Sequence, residues 1–261
     1  MTTEQRMHVP RPAVFAALAL LPILGCATTS RGLRAPTPLV SPYDSRQGDV
    51  VWAVAPPRNE TGVSVVDPLQ IADALAAAFS EARGISAVPV NRTLAAMRTL
   101  GIESVSSGAD ARRLALTMGV DGVIVGTVTA WDPYDPPRLG LSLALFARPG
   151  SDRIADPSAI VDPRALTAAA TEPRLPAGRP AEAPLSAVSE HLDARNHEIL
   201  MDLRAFAEGR HDPDTALGWR GYIASMTLFT RFASHRLAGA LLDQERLRLA
   251  RERATAEALA R

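Results

Sequence analysis

The chain has one cysteine, Cys26, and no lysine; every basic side chain is an arginine. A single thiol closes no internal disulfide, so the fold has to stand on its core. The missing lysine, beside an abundance of alanine, reads as a GC-rich genome and not as a binding device. Acidic and basic residues balance at 28 each, which leaves no basic field to attract nucleic acid. There is no internal repeat, no glycine-rich phosphate loop and no G-x-S-x-G elbow. Gly122 and Gly126 sit inside a strand pattern and read as packing positions.

What is present begins with a short basic start, Arg6, His8 and Arg11, followed by an apolar run from Ala13 to Leu24. That run has the length of a secretory h-region and falls short of the ~20 residues that span a bilayer. It ends in Ile23-Leu24-Gly25-Cys26, which resembles the bacterial lipobox. The resemblance implies that residues 1–25 are a lipoprotein signal peptide and that Cys26 becomes an acylated first residue, a site of palmitate-type lipidation. Two or three acyl chains, at about 0.8 kcal/mol per buried methylene, hold a protein on a membrane where one does not. An acylated Cys26 is also removed as a nucleophile. Ala27, at the position after the cysteine, resembles the outer-membrane sorting pattern. Residues 26–48 then form the lipidated terminus and a Pro, Ser and Thr-rich tether, about 25 Å in mean span as a flexible coil.

An α/β core domain is expected over 49–148. VVWAVA at Val50–Ala55 reads as a buried strand. Asp67-Pro68 starts a helix with Ile71, Leu75 and Phe79 on one face. Ile85–Val90 is a second strand, and Asn91 is expected to cap a second helix that ends at Gly101. Ser107 and Asp110 open a third helix, closed by Gly119. Val120–Trp131 and the leucine-alternating strand from Arg138 form a hairpin with a proline-stiffened tip, WDPYDPPR. Residues 149–183 are a Pro and Ala-rich excursion without order of its own. Residues 184–261 bring a returning strand, a helix from Asn196, and one long helix from about Ala216, whose charged tail beyond Leu242 is expected to be solvated. The fold class is thus α/β: a small mixed sheet of about four or five strands packed with helices, plus a long C-terminal helix.

Residues 49–146 carry Asn59-Glu60-Thr61-Gly62 after the first strand and Gly119-Val120-Asp121-Gly122-Val123-Ile124-Val125-Gly126-Thr127-Val128-Thr129 before the leucine strand. This pattern resembles the periplasmic α/β module of the TolB amino-terminal domain, LpoB-type lipoprotein activators and CsgG-like secretion lipoproteins. The resemblance implies a non-enzymatic envelope adaptor or regulator, anchored in the inner or outer membrane and facing the periplasm. Its partners would be the membrane, through the lipid, and an unidentified envelope protein. No cofactor is implied. The excursion and the aromatic C-terminal helix are outside the shared module, and the membrane-inserting hairpin that a CsgG-like pore needs is not visible.

Two groups of residues compete as sites. Trp131, Tyr134 and Arg138 on the hairpin tip suit a protein interface, where aromatics and arginine are enriched. His191, Asp193 and His197, with Glu198 and Asp202 behind them, are metal-ligand types and give the rival reading of a metal-dependent hydrolase. Their spacing matches no standard zinc motif. A third reading is a structural subunit of an envelope assembly, self-associating through the C-terminal helix.

Overall fold

The computed structural model describes residues 38–44, 46, 48–151, 154, 183–211 and 214–259; Cys26 and most of the 149–183 excursion lie outside them. β1 (Val50–Val54), β2 (Arg58–Asn59), β3 (Ile85–Val88), β4 (Gly122–Asp132), β5 (Arg138–Ala147) and β6 (Ser186–Asp193) make one mixed sheet. Five strands lie in the order β3-β1-β4-β5-β6, and β2 pairs with β4 past the end of β1. The first three of that order are parallel and the last two antiparallel. The helices are α1 (Pro68–Ser80), α2 (Val90–Leu100), α3 (Gly108–Met118), α4 (His197–Ala207), α5 (Gly221–Ala224) and α6 (Met226–Leu259).

The larger core lies on the face where Trp52, Ile124 and the four leucines of β5 meet α1 and α6. Leu139, Leu141, Leu143 and Leu145 point one way because side chains alternate along a strand, and all four are buried. Trp52 is fully buried, with its ring edge-on to Phe79 at 5.3 Å and to Tyr43 at 5.9 Å. The smaller core lies on the opposite face, where Ala53, Val123 and Phe146 meet Met97 of α2 and Leu114 of α3. Gly122 has no room for a side chain: a Cβ there would come within 3.0 Å of the Leu145 side chain and 3.3 Å of Trp52.

The caps follow the sequence in two of three cases. Asp67 accepts from the Leu69 and Gln70 amides, and Ser107 accepts from the Asp110 amide while donating to its carboxylate at 2.8 Å. Gly101 and Gly119 close α2 and α3 in the left-handed region, with φ of +68° and +66°, which glycine adopts without strain. Asn91, however, is not a cap. The helix starts one residue earlier at Val90, after Pro89, with no side-chain cap, because Val90 itself is drawn into the core.

The C-terminal region departs further. In place of one helix from Ala216 there is a 3₁₀ turn at Gly218–Arg220, then α5, then a break at Ser225, which is extended. Two glycines, at 218 and 221, are poor helix formers, and Ser225 is a cap-type residue, so its carbonyl takes the Phe229 amide at the start of α6. The tail is not solvated throughout either. Glu245, Arg248 and Leu249 are buried.

Glu245 explains why. Its carboxylate, 0% exposed, accepts from the Tyr43 hydroxyl at 2.8 Å, from the Ser186 hydroxyl and from the Arg248 guanidinium at 2.7 Å. Arg248 also donates to the Ile154 carbonyl and to Glu252, both at 2.8 Å. Burial lowers the Arg248 pKa and the two glutamates raise it by more, so the guanidinium stays charged. Burial first, then the Glu245 charge, push the Tyr43 phenol well above its ordinary value, so it remains a donor. Residues 38–44, within the segment that composition assigns to the tether, are held as a strap by this cluster and by a backbone bridge. Ser41 N donates to Arg83 O at 2.9 Å, and Arg83 N donates to Leu39 O at 3.0 Å.

Glu245→Ala is expected to cost about 3–5 kcal/mol, because it leaves Arg248 buried without its charge partner. Tyr43→Phe removes one hydrogen bond and is expected to cost about 1 kcal/mol. Urea unfolding midpoints at constant m-value measure both.

Candidate functional site

The hairpin tip is built from the β4–β5 pairing, which runs from Gly122↔Ala147 to Asp132↔Arg138 with a bulge between Val128 and Ala130. Gly140 stands opposite the bulge with no room for a side chain: a Cβ there would meet the Ala130 amide nitrogen at 2.9 Å. Trp131 pairs with Leu139, half-buried, and packs on the larger core. It therefore roots the hairpin. Arg138 closes the loop: its guanidinium donates to Asp132 Oδ2 at 2.6 Å and 3.2 Å. That bond, with the Tyr134 amide on the other oxygen at 3.3 Å, draws the Asp132 carboxyl below its usual value. The Ala194 amide donates to Pro137 O at 3.0 Å and ties the tip to the turn after β6. Tyr134, 80% exposed, is the one large apolar side chain this frame presents to solvent.

The histidines are placed differently. His191 is exposed on β6 opposite Gly140, Asp193 takes the Arg195 amide at 2.8 Å, and His197 is exposed at the first turn of α4. The helix expected from Asn196 is present, and Asn196 caps it, accepting from the Glu198 amide at 2.9 Å. Among the described residues, no group of three histidine, cysteine or acidic side chains could hold a metal ion. The carboxylates near the histidines turn instead to Arg236 of α6, a residue the sequence reading missed. Arg236 donates to Glu190 at 2.6 Å and to Asp202, with Glu198 at 4.0 Å.

A second concavity of about 690 Å³ runs between α1 and the α5–α6 segment, lined by Asp73, Glu81, Arg210, Tyr222, Arg231 and His235. Its charges largely answer one another: Arg210 donates to Glu81 at 2.7 Å and lies over the Phe206 ring at 4.2 Å. His235 Nδ1 is buried, 3.5 Å from Glu81 Oε2, and makes no hydrogen bond. Burial first, then the Arg210 charge, lower its pKa below 6.5, against the opposing pull of Glu81. A shallower hollow of about 430 Å³ lies on the other sheet face, between Arg58, the start of α3 and the Ser142–Ser189 hydroxyl pair. No helix among the described residues is long and apolar enough to cross a membrane.

A histidine with a lowered folded pKa binds fewer protons folded than unfolded. Its contribution is full above the unfolded value and is lost as pH falls through the folded one. Stability is therefore expected to decline below about pH 6.5, and His235→Gln is expected to flatten the part of that slope due to this site. Urea midpoints of parent and variant at about pH 7.5 and about pH 5 report the difference.

No protein-family model matches this chain, and none of the curated proteins matches it. Solved structures do. The chain is similar to lipoprotein GNA1162 from Neisseria meningitidis, with a TM-score of 0.36 at 15% identity, covering 58% of this chain and 91% of that one. It is similar to the LpoB C-terminal domain from Salmonella enterica, with a TM-score of 0.30 at 19% identity over 42% of this chain and 76% of that one. The hypothetical protein CT253 from Chlamydia trachomatis gives a TM-score of 0.38 at 9% identity, over 76% of this chain and 98% of that one. Lipoproteins and LpoB domains thus stand among its structural neighbours.

Proposed function

We propose that this chain is a lipoprotein, held on a bacterial envelope membrane through Cys26, whose α/β domain faces the periplasm and acts as a non-enzymatic adaptor or regulator of another envelope protein. The leader pattern ending in Ile23-Leu24-Gly25-Cys26 supports the anchor. The observation that carries the binding role is Tyr134, 80% exposed on a tip stiffened by three prolines and closed by the Asp132–Arg138 pair. An aromatic already held in place loses little conformational freedom when it docks, which is what makes such residues strong interface anchors. Trp131 and Arg138 serve the same surface indirectly, by rooting and closing the loop.

Cys26→Ser is expected to abolish labelled palmitate incorporation and to shift the chain from the membrane fraction to the periplasmic one. Persistence of both in the variant overturns the anchor. Crosslinking in cells through a photoreactive residue at Asp135 is expected to recover one defined envelope protein. Tyr134→Ala is then expected to weaken the purified pair roughly 30-fold, the effect of losing an interface anchor of about 2 kcal/mol. Unchanged affinity removes the tip from the interface. Trp131→Ala is the poorer probe, because it also unseats the hairpin.

A further inference from the structure

α1 and α6 run side by side in the same direction. Gln70 Nε2 donates to Thr227 Oγ1 at 3.4 Å near their starts, and about three turns further on Glu81 Oε2 lies 3.5 Å from His235 Nδ1. Between those two contacts α1 presents Ala74, Ala77 and Ala78, and α6 presents Thr230. Side chains this small cannot fill the space between the helices, and the cavity of about 690 Å³ is the result. That volume is within the range of about 300–1,000 Å³ over which pockets enclose drug-sized ligands.

Not all of the polar groups that line it are answered within the protein. Arg210 and Glu81 hold each other at 2.7 Å, and Asp67 accepts the Leu69 and Gln70 amides. Tyr222 is 6% exposed, yet its hydroxyl has no hydrogen-bond partner among the described residues. Burial raises the phenol pKa most, the Arg210 and Arg231 charges lower it, and Glu81 raises it, so all three charges stand within reach of the same oxygen. The phenol stays protonated and is a donor without an acceptor. Buried polar groups are nearly always answered, so this one marks where an acceptor from a ligand fits. Arg231 is exposed and has no ion pair among the described residues. Asp73, on the opposite wall, is exposed and equally unpaired there. It stands two turns before Glu81, about 12 Å along the helix axis.

We propose that the cavity between α1 and α6 binds a short peptide with both termini free, its carboxylate at Arg231 and the Tyr222 hydroxyl and its ammonium at Asp73. The peptide body crosses the floor of Ala74, Ala77 and Ala78. An extended chain advances about 3.3 Å per residue, so about three residues reach from one end to the other. A small anion would leave Asp73 unanswered, and a small cation would leave Arg231 and Tyr222 so. Only a molecule with opposite charges at its two ends answers all three. Pairing of this kind sets orientation as well as affinity, because a reversed peptide brings like charges together.

The test is isothermal titration calorimetry of the full-length chain in detergent with tri-alanine, for which saturable one-to-one binding is expected. Acetylating the amine of the peptide, or amidating its carboxylate, is expected to weaken binding roughly tenfold each, the loss of one charged contact. Arg231→Gln is expected to weaken tri-alanine as much as amidation does and to leave the amidated peptide no weaker. Asp73→Asn is expected to do the same with the acetylated peptide. Both side chains are exposed, so the urea midpoints of these variants are expected to stay at the parent value. Ala77→Leu, at an exposed helix position, fills the floor and is expected to abolish binding with the midpoint likewise unmoved. Absence of saturable binding up to about 10 mM tri-alanine overturns the proposal. Binding that ignores the blocked termini, or either charge variant, overturns it too. Inorganic phosphate binding at least as tightly as tri-alanine reassigns the cavity to a simple anion and overturns the two-ended ligand. Each of these outcomes is independent of the anchor at Cys26 and of the hairpin tip.

Discussion

The carboxylate of Glu245 is the constraint around which the C-terminal half is arranged. It meets a hydroxyl from the strap, a hydroxyl from the first residue of β6 and a guanidinium from its own helix, and through Arg248 it reaches the Ile154 carbonyl where the excursion departs. Such a group contributes little net stability compared with an apolar packing of the same shape. Its effect is on position. A rotation or slide of α6 would leave a buried charge unanswered, so the helix has one seat on the sheet, and the strap and the start of β6 are fixed relative to it.

That arrangement also explains which parts of the fold could be read in advance. β1, β4 and β5 were legible because their inward residues are uniformly apolar, and α1 and α3 because a polar cap precedes an apolar stripe. β6 was only weakly legible. Its inward row is Ser186, Val188, Glu190 and Leu192, so a polar group stands at every second inward position. Each is answered from α6, Ser186 by Glu245 and Glu190 by Arg236, a match between segments some 50 residues apart that no local pattern reveals. The same logic hid the burial of Glu245 and Arg248, which as a sequence look like any charged helix surface.

The candidate site was legible to about the same depth. The tip drew attention through its prolines and aromatics, and the structure separates their tasks: Trp131 inward, Arg138 bonded to Asp132, Tyr134 outward. Composition cannot make that separation, because it depends on strand parity and on the bulge beside Gly140. The histidine cluster drew attention through residue type. Its Glu198 and Asp202 turn to Arg236, which carries no signature of its own in sequence, and its Asp193 takes the Arg195 amide.

The last strand has one more consequence. β6 is an outer strand of the sheet, and outer strands are templates on which a neighbouring chain can add its own backbone. On the core side of β6 stands Glu190, neutralised by an arginine of the same molecule, and further along the same row Ser186 is bonded to a buried acid. A foreign strand extending the sheet there would have to continue a layer whose ions are already matched within this molecule and would have nothing to offer them. Crowded side by side on a two-dimensional surface, copies of this domain would keep their sheets apart.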